Sequence, residues 1–182
     1  EKLYYASSKE ADFSQLRVRH LKTGADSILI KNINWDVSNV NESPDGQWLV
    51  FTTNEDGTAK LNFHNIVSGK TEQFDKLTEG NIRYSIFKPD ANATIAFPLS
   101  YFSGETDVFS YNLETEELKQ WTDNKQSIDY PYPEVIRYPT FDLDTIKGKK
   151  REISALYLKP SDEYTPPYPV IVDLHGGPNM QV

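Results

Sequence analysis

The residues with the clearest capacity for chemistry lie near the end of the chain, where His-Gly-Gly-Pro at 175–178 follows an apolar run at 170–174. The two consecutive glycines let the backbone turn tightly and leave its N–H groups open to a ligand. Backbone N–H groups held in this way stabilise the negative charge that develops on an oxygen atom during acyl transfer. The short apolar run predicts a strand buried on both faces, as in a parallel sheet. We therefore predict an oxyanion-binding loop carried by a buried strand.

The chain contains no residue placed to act as the nucleophile of such a reaction. A serine nucleophile of this kind sits in a Gly-x-Ser-x-Gly turn. No serine in the chain has glycines at both positions, and cysteine is absent. Losing one oxyanion donor costs a hydrolase about 10²–10³ in turnover, whereas losing the nucleophile costs on the order of 10⁶. We therefore expect any nucleophile to lie outside this chain and the chain alone to be inactive.

The other titratable residues give weaker signals. His175 precedes the two glycines, where we expect it to orient the loop through hydrogen bonds rather than to transfer protons. His20 and His64 fall at comparable strand ends, where a surface position is expected. Because no two histidines have the i, i+3 or i, i+4 spacing of helical metal sites, we predict no metal and no cofactor. Acidic residues in loops between the predicted strands are expected to be solvated: Glu42, Glu55, Asp56, Glu105 and Asp107.

Charge and composition disfavour several classes of partner. Nineteen Lys and Arg against 27 Asp and Glu give a net charge of −8, which argues against nucleic-acid binding. No apolar run approaches the roughly 20 residues of a membrane-spanning helix, so no membrane partner is expected. The first residues lack the basic and then apolar layout of a signal peptide. The compartment is left open: cytoplasmic, or periplasmic or secreted if a signal peptide was removed.

The first two thirds of the chain repeat with a period of 46 residues. Tyr5, Phe51 and Phe97 occupy equivalent positions in successive units. Each unit continues with an alternating strand, a tight turn and a short final strand. Pro-Asp turns, such as Ser-Pro-Asp-Gly at 43–46, precede the second and third units. Turns at this spacing predict the four-stranded blades of a β-propeller. Because the first unit starts part-way through a blade, we expect about two and a half blades, fewer than the roughly four to eight of a closed ring.

A different architecture is predicted after the repeats. Residues 123–135 are polar and end in two Tyr-Pro pairs, which favour an extended connector because proline restricts the residue before it. Residues 136–143 and 152–158 alternate apolar and polar positions around a basic turn, which predicts an antiparallel hairpin. We therefore divide the chain into a partial propeller over 1–122, a linker over 123–135, and the N-terminal part of a truncated second domain over 136–182.

This order of elements resembles the junction between the two domains of serine peptidases in the prolyl oligopeptidase family. The resemblance rests on TolB-like repeats, the connector, Arg-Tyr-Pro-Thr-Phe at 137–141, the hairpin ending at 155–160 and the run 169–178. The chain looks most like the acylaminoacyl-peptidase and dipeptidyl-peptidase-like branch. The resemblance implies a mostly β chain, in which a partial TolB-like β-propeller is followed by the first strands of an α/β-hydrolase domain.

The resemblance also implies a function for the parent protein. That protein would hydrolyse short peptides, in an aminoacyl- or dipeptidyl-type cleavage, through a Ser-His-Asp triad that lies beyond this chain. Gly177 is the first choice for the backbone oxyanion donor and Gly176 the second, with His175 orienting the loop. Short peptides are the implied partners, and an oligomer is compatible with unpaired strand edges.

Two further interpretations of the sequence are open. The chain could belong to a TolB-like propeller that binds proteins and retains a non-catalytic hydrolase remnant. A carboxylesterase with an HGGG loop is a third interpretation, but Pro178 and the blades count against it, because those esterases carry a helical cap instead. The sequence after Val182 would separate the first two, since a Gly-x-Ser-x-Gly turn followed by Asp and His supports the enzyme.

Overall fold

The computed structural model describes residues 1–78, 80–124, 132–144 and 148–174, and every regular element among them is a β-strand. These strands form four antiparallel sheets. The chain divides into two compact units, Glu1–Ser127 and Ile128–Val182. The division falls within the segment predicted as a linker, 123–135, while the predicted domain bounds themselves stay a prediction.

The first unit contains three sheets that follow one another along the chain. The first sheet is formed by β1 (Lys2–Ser7), β2 (Gln15–His20) and β3 (Asp26–Ile28). The second sheet is formed by β4 (Asp36–Glu42), β5 (Trp48–Glu55), β6 (Thr58–Asn65) and β7 (Thr71–Gln73). The third sheet is formed by β8 (Gly80–Asn81), β9 (Ile86–Lys88), β10 (Ala91–Tyr101), β11 (Thr106–Asn112) and β12 (Leu118–Gln120).

The three sheets repeat one plan, as the 46-residue period predicts. Tyr5 lies on β1, Phe51 on β5 and Phe97 on β10, and each of these strands pairs with the following strand of its sheet. The first sheet has three strands and the second has the predicted four. In the third sheet β8 and β9 both pair with β10, so two short strands stand where the second sheet has one. The predicted partial β-propeller is therefore confirmed.

The turns between the last two strands of each sheet share one geometry. Gly24, Gly69 and Glu116 have φ angles of 71°, 73° and 58°. The N–H of each donates to the carbonyl oxygen four residues earlier, at 2.8, 2.8 and 2.9 Å. A left-handed backbone costs glycine nothing, whereas an L-residue such as Glu116 is strained there. The repeat is thus conserved in backbone conformation even where the residue type changes.

The Ser-Pro-Asp-Gly turn before β5 closes through its own side chains, as predicted. The Ser43 hydroxyl donates to Asp45 Oδ1 at 2.6 Å and accepts from the Trp48 N–H at 2.9 Å. Asp45 Oδ1 also accepts from the Gln47 N–H at 3.1 Å, and Gly46 has a φ of 71°. The hydrogen bond from Ser43 lowers the pKa of Asp45 from its ordinary value.

The hydrophobic core lies between the faces of successive sheets. Between the first and second sheets it consists of Leu16, Val37, Leu49 and Phe51, with partly buried neighbours. Between the second and third sheets it is larger and aromatic. Phe74 packs edge-on against Phe97 at 5.4 Å between ring centroids and against Tyr111 at 5.0 Å. Such pairs add about 0.5–1.5 kcal/mol beyond the area they bury, so they stabilise the packing of the second sheet on the third.

The second unit contains one described hairpin, formed by β13 (Glu134–Asp144) and β14 (Lys149–Tyr157). The antiparallel hairpin predicted from alternation is confirmed. The register shifts between Pro139 and Leu143, where Pro139 cannot donate to the ladder. Apolar side chains stay exposed along it, and Phe141 is 99% exposed. The described residues of this unit place no second layer on the hairpin, and a hairpin by itself is marginal in water.

Candidate functional site

The predicted oxyanion loop, with His175, Gly176 and Gly177, lies outside the described residues. The run before it is described, and the prediction of a buried strand there is wrong. Residues 170–174 form no strand, and their apolar side chains are between 74 and 93% exposed. A strand of a parallel sheet needs neighbours at its edges and a layer on each face. Among the described residues nothing supplies them, so the apolar pattern alone does not produce the strand.

The two described histidines have separate environments. His20 is exposed, as expected, whereas the surface position predicted for His64 is wrong. The His64 side chain is buried, and its Nδ1 lies 2.9 Å from the Thr71 hydroxyl. This burial lowers the pKa of His64. The two residues differ because His20 and Asn65 start equivalent turns, which puts His64 one position earlier and on the opposite face of its strand.

Asp107 is the acidic residue whose predicted environment is corrected most. It lies on β11 rather than in a loop, and its side chain is fully buried. Its Oδ1 accepts from the Thr122 hydroxyl at 2.7 Å and from the Asn124 N–H at 2.8 Å, and its Oδ2 accepts from Gln120 Nε2 at 3.3 Å. Buried carboxylates persist only when they are bonded in this way. The carboxylate therefore holds the segment that leaves the third sheet.

A second charged side chain, Asp26 on the first sheet, also forms hydrogen bonds within the chain. Asp26 accepts from the Tyr5 hydroxyl at 2.7 Å and from Arg17 Nε at 3.3 Å. The hydrogen bond from Tyr5, followed by the bond and charge of Arg17, lowers the pKa of Asp26. Because these three side chains form hydrogen bonds with one another, the cluster stabilises the fold rather than forming a site for a ligand.

A further candidate site lies where the first strands of the second and third sheets meet. Asn39 Nδ2 donates to the carbonyl oxygen of Arg83 at 2.6 Å, and Asn41 Nδ2 donates to that of Ser85 at 3.0 Å. Asn39 has a φ of 50° within a register shift of β4. Bulges of this kind re-aim side chains and are frequent beside functional sites. Two side-chain amides thus hold the segment 82–85, which we call the axial segment.

The axial segment interrupts the first strand of the third sheet for a reason that lies on β10. Pro98 is opposite Val108, whose N–H donates to the Thr122 hydroxyl and whose carbonyl accepts from the Trp121 N–H. Both backbone groups of Val108 therefore point away from Pro98, so this is a non-hydrogen-bonded pair. The backbone edge of Pro98 faces the other side, toward the axial segment. Because proline has no N–H, it offers that segment no donor.

The strand register at the axial segment shows the same interruption. Asn81 is opposite Ser100, and Ile86 is opposite Ala96. Four residues, 82–85, therefore face three residues, 97–99. The four residues cannot all join the ladder, and the carbonyl oxygens of Arg83 and Ser85 accept from β4 instead. The sequence carries one signal of this arrangement, a proline within an apolar strand.

The described residues give no sign of a metal or membrane site. No group of three or more His, Asp or Glu in the part of the chain that the structure describes could hold a metal ion. The same part of the chain contains no helix of the length and apolarity that crossing a membrane requires.

Comparison with known proteins finds likeness at the level of structure. No family model matches the chain, and no curated protein matches it. A prolyl endopeptidase structure matches with a TM-score of 0.65 and 12% identity, covering 87% of this chain and 23% of that one. TolB from Acinetobacter baumannii matches with a TM-score of 0.53 and 17% identity, covering 68% and 30%. A TolB of Agrobacterium tumefaciens matches with a TM-score of 0.53 and 16% identity, covering 85% and 62%.

These matches establish the fold and not the chemistry. All three identities are far below the level at which function transfers, so the chain shares a propeller fold that occurs in peptidases and in TolB proteins. The chain spans less than two thirds of the length of each of these proteins.

Proposed function

We propose that the chain is a piece of a serine peptidase of the prolyl oligopeptidase family. The parent protein would cleave short peptides, in an aminoacyl- or dipeptidyl-type reaction, through a Ser-His-Asp triad outside this chain. The serine would attack the peptide carbonyl to form an acyl-enzyme, with the histidine as general base. The chain itself would contribute the propeller and the glycine loop but no nucleophile.

The order of elements is the observation that supports this proposal most. Three stacked sheets are followed by an antiparallel hairpin, and the sequence then continues to His-Gly-Gly-Pro at 175–178. The match to prolyl endopeptidase covers 87% of the chain, whereas the first unit comprises 127 of the 182 residues. That match therefore reaches beyond the propeller sheets into the second unit. A TolB match reaches nearly as far, 85% of the chain, so the order of the elements and not the extent of the match supports the proposal.

Each residue of the proposed site would have a distinct role. Gly177 would offer its backbone N–H to the tetrahedral intermediate, and Gly176 is the second choice for this donor. His175 would orient the loop through hydrogen bonds. Peptide N–H groups suit this task because they are held in place before charge develops on the substrate oxygen. No metal or organic cofactor takes part in this proposal.

A fluorophosphonate probe, which labels activated serines, tests the proposal. The chain alone should remain unlabelled, because it has no nucleophile, whereas the complete protein should label at one serine. Substituting that serine by alanine should abolish the labelling. Labelling of the isolated chain, or an unlabelled complete protein that is folded, would contradict the proposal.

A second candidate function is protein binding by a TolB-like propeller with an inactive hydrolase remnant. The observation in its favour is that a TolB protein covers 85% of this chain, nearly the extent of the peptidase match. The same labelling experiment separates the two. A complete protein that folds but lacks the Gly-x-Ser-x-Gly serine would support the binding module.

A further inference from the structure

Three of the four backbone N–H groups of the axial segment donate to no described residue. Ile82 N–H donates to the Ala59 carbonyl at 3.2 Å. Within the parts of the chain that the structure describes, the N–H groups of Arg83, Tyr84 and Ser85 donate no hydrogen bond. Backbone N–H groups are obligatory donors, which bond to protein, to water or to a ligand. Because Arg83 and Tyr84 are exposed, this part of the segment is open to an acceptor from outside the chain.

Two of the acceptors of the same segment are occupied. The carbonyl oxygens of Arg83 and Ser85 each accept from a side-chain amide of β4, Asn39 or Asn41. At these two residues the backbone N–H is therefore the group left for a ligand. This favours a ligand that supplies acceptors.

Two side chains add further donors to the three backbone N–H groups. The Ser85 side chain is only 2% exposed, and its hydroxyl has no hydrogen-bond partner among the described residues. The exposed Arg83 guanidinium makes no ion pair or hydrogen bond with any described residue. A buried, unpaired hydroxyl normally signals a missing partner. A guanidinium fork fits a carboxylate with two parallel bonds.

The neighbouring side chains favour a peptide over a small inorganic anion. Tyr84 is 55% exposed and Ile86 is 60% exposed. They present an aromatic and a branched apolar surface on either side of Ser85. Aromatic and aliphatic surfaces beside a polar anchor are typical of peptide-binding sites.

We propose that residues 83–85 bind the carboxylate of a peptide through the Arg83 guanidinium and the open backbone N–H groups. This inference rests on the proposed peptidase function and adds a substrate class, peptides that carry a free carboxylate near the bound end. The protein is acidic, with a net charge of −8, so a carboxylate needs a local positive charge to bind. Arg83 provides that charge, on a backbone held by Asn39 and Asn41.

Titration of the 182-residue chain with three peptides tests the proposal. The probes are N-acetyl-trialanine, its C-terminal amide, and an amidated N-acetyl-Ala-Glu-Ala. The free acid should bind at least about 10-fold more tightly than the amide, as expected for a charge-assisted bond. Recovery of binding by the glutamate peptide would assign the site to side-chain carboxylates, and its failure would assign it to the C-terminus. Nuclear magnetic resonance shifts at the amides of 83–85 should accompany binding.

Two substitutions provide the matched control. Arg83→Gln should weaken binding of the free acid about 10-fold or more and leave the amide unchanged. Lys88→Gln removes the same charge from β9 of the same sheet and should change binding less than twofold, because Lys88 already lies 3.3 Å from Asp90. Equal binding of acid and amide, or equal losses in the two variants, would overturn the proposal.

The outcome can be separated from that of the proposed function. If the complete protein labels with the fluorophosphonate but acid and amide peptides bind equally, the carboxylate site is refuted and the peptidase proposal stands. If carboxylate binding depends on Arg83 but the complete protein never labels, the site stands and the peptidase proposal is refuted.

Discussion

Both units of the chain contain strands in which apolar and polar residues alternate, but the strands differ in burial. In the first unit three sheets stack face to face, and Phe51, Phe97 and Leu49 are almost completely buried. In the second unit the hairpin β13–β14 and residues 170–174 leave their apolar side chains exposed. The same alternation therefore builds a core only where a second layer covers it. Pattern predicts a strand, but burial depends on its neighbours.

Truncating one buried and one exposed phenylalanine tests this difference most strongly. Phe97→Ala should destabilise the first unit by about 3–5 kcal/mol, because Phe97 is 1% exposed and packs between Phe74 and Phe109. Phe141→Ala should stay within about 0.5 kcal/mol, because Phe141 is 99% exposed. Urea denaturation of both variants gives the two values. Equal losses would show that the second unit has a core of its own.

The buried carboxylate of Asp107 should give the next largest effect. Asp107→Asn replaces one acceptor oxygen by a donor that would face Thr122 or Gln120. We expect a loss of about 1–3 kcal/mol, the cost of a buried group without its partner. Asp90→Asn is the control, since the Asp90 side chain is 77% exposed and pairs only at the surface. If both variants lose the same stability, the proposed hold on residues 120–124 is absent.

Much of the propeller could be predicted from sequence because each element carries local signals. The alternation of β6, the Ser-Pro-Asp-Gly turn at 43–46 and the glycine at Gly69 each determine structure over a few residues. The burial of Asp107 could not be predicted in the same way. It depends on Thr122 and Asn124, which are distant in sequence and return to it only in the fold.

The candidate sites show the same limit. The glycine loop at 175–178 is predicted from its motif and stays a prediction, and no local pattern supplies the neighbours that residues 170–174 need. The axial segment had only Pro98 as a signal. Its conformation results from the register of β10 against β8 and β9 and from amides on the adjacent sheet. Contacts of this kind between sheets produce no periodic pattern in the sequence.

A smaller effect is expected at the repeated turns of the first unit. Gly69→Ala should cost about 1–2 kcal/mol, the penalty for an L-residue in a left-handed conformation. A Cβ at Gly69 would meet nothing within 4 Å, so the loss would report backbone strain alone. Val67→Ala, at a 78% exposed position of the same turn, should change stability by less than about 0.5 kcal/mol. Thermal denaturation of both variants measures these changes in stability. A Gly69→Ala variant as stable as the unaltered chain would show that the turn places no strain on a non-glycine residue.

The pH dependence of stability should separate His64 from His20. Burial lowers the pKa of His64 in the folded state, while an unfolded histidine titrates near pH 6.5. Folding therefore favours the neutral form of His64. The stability that neutral His64 contributes is complete above about pH 6.5 and is lost as the pH falls through the lower folded pKa. His64→Asn should flatten the loss of stability between neutral and mildly acidic pH.

His20→Asn is the control for that measurement, because His20 is exposed. Its stability should follow the same pH profile as the unaltered chain in urea denaturation. A profile that changes with His20 and not with His64 would contradict the assignment of burial.

The most direct test of the whole account is the turnover of the complete protein when the N–H of Gly177 is removed. Gly177→Pro should lower kcat by about 10²–10³, the effect of losing one oxyanion donor, with KM changing far less. Gly177→Ala keeps the N–H and should lose much less activity, and Gly176→Pro should fall between the two. A Gly177→Pro variant that hydrolyses short peptides as fast as the unaltered protein would contradict the account.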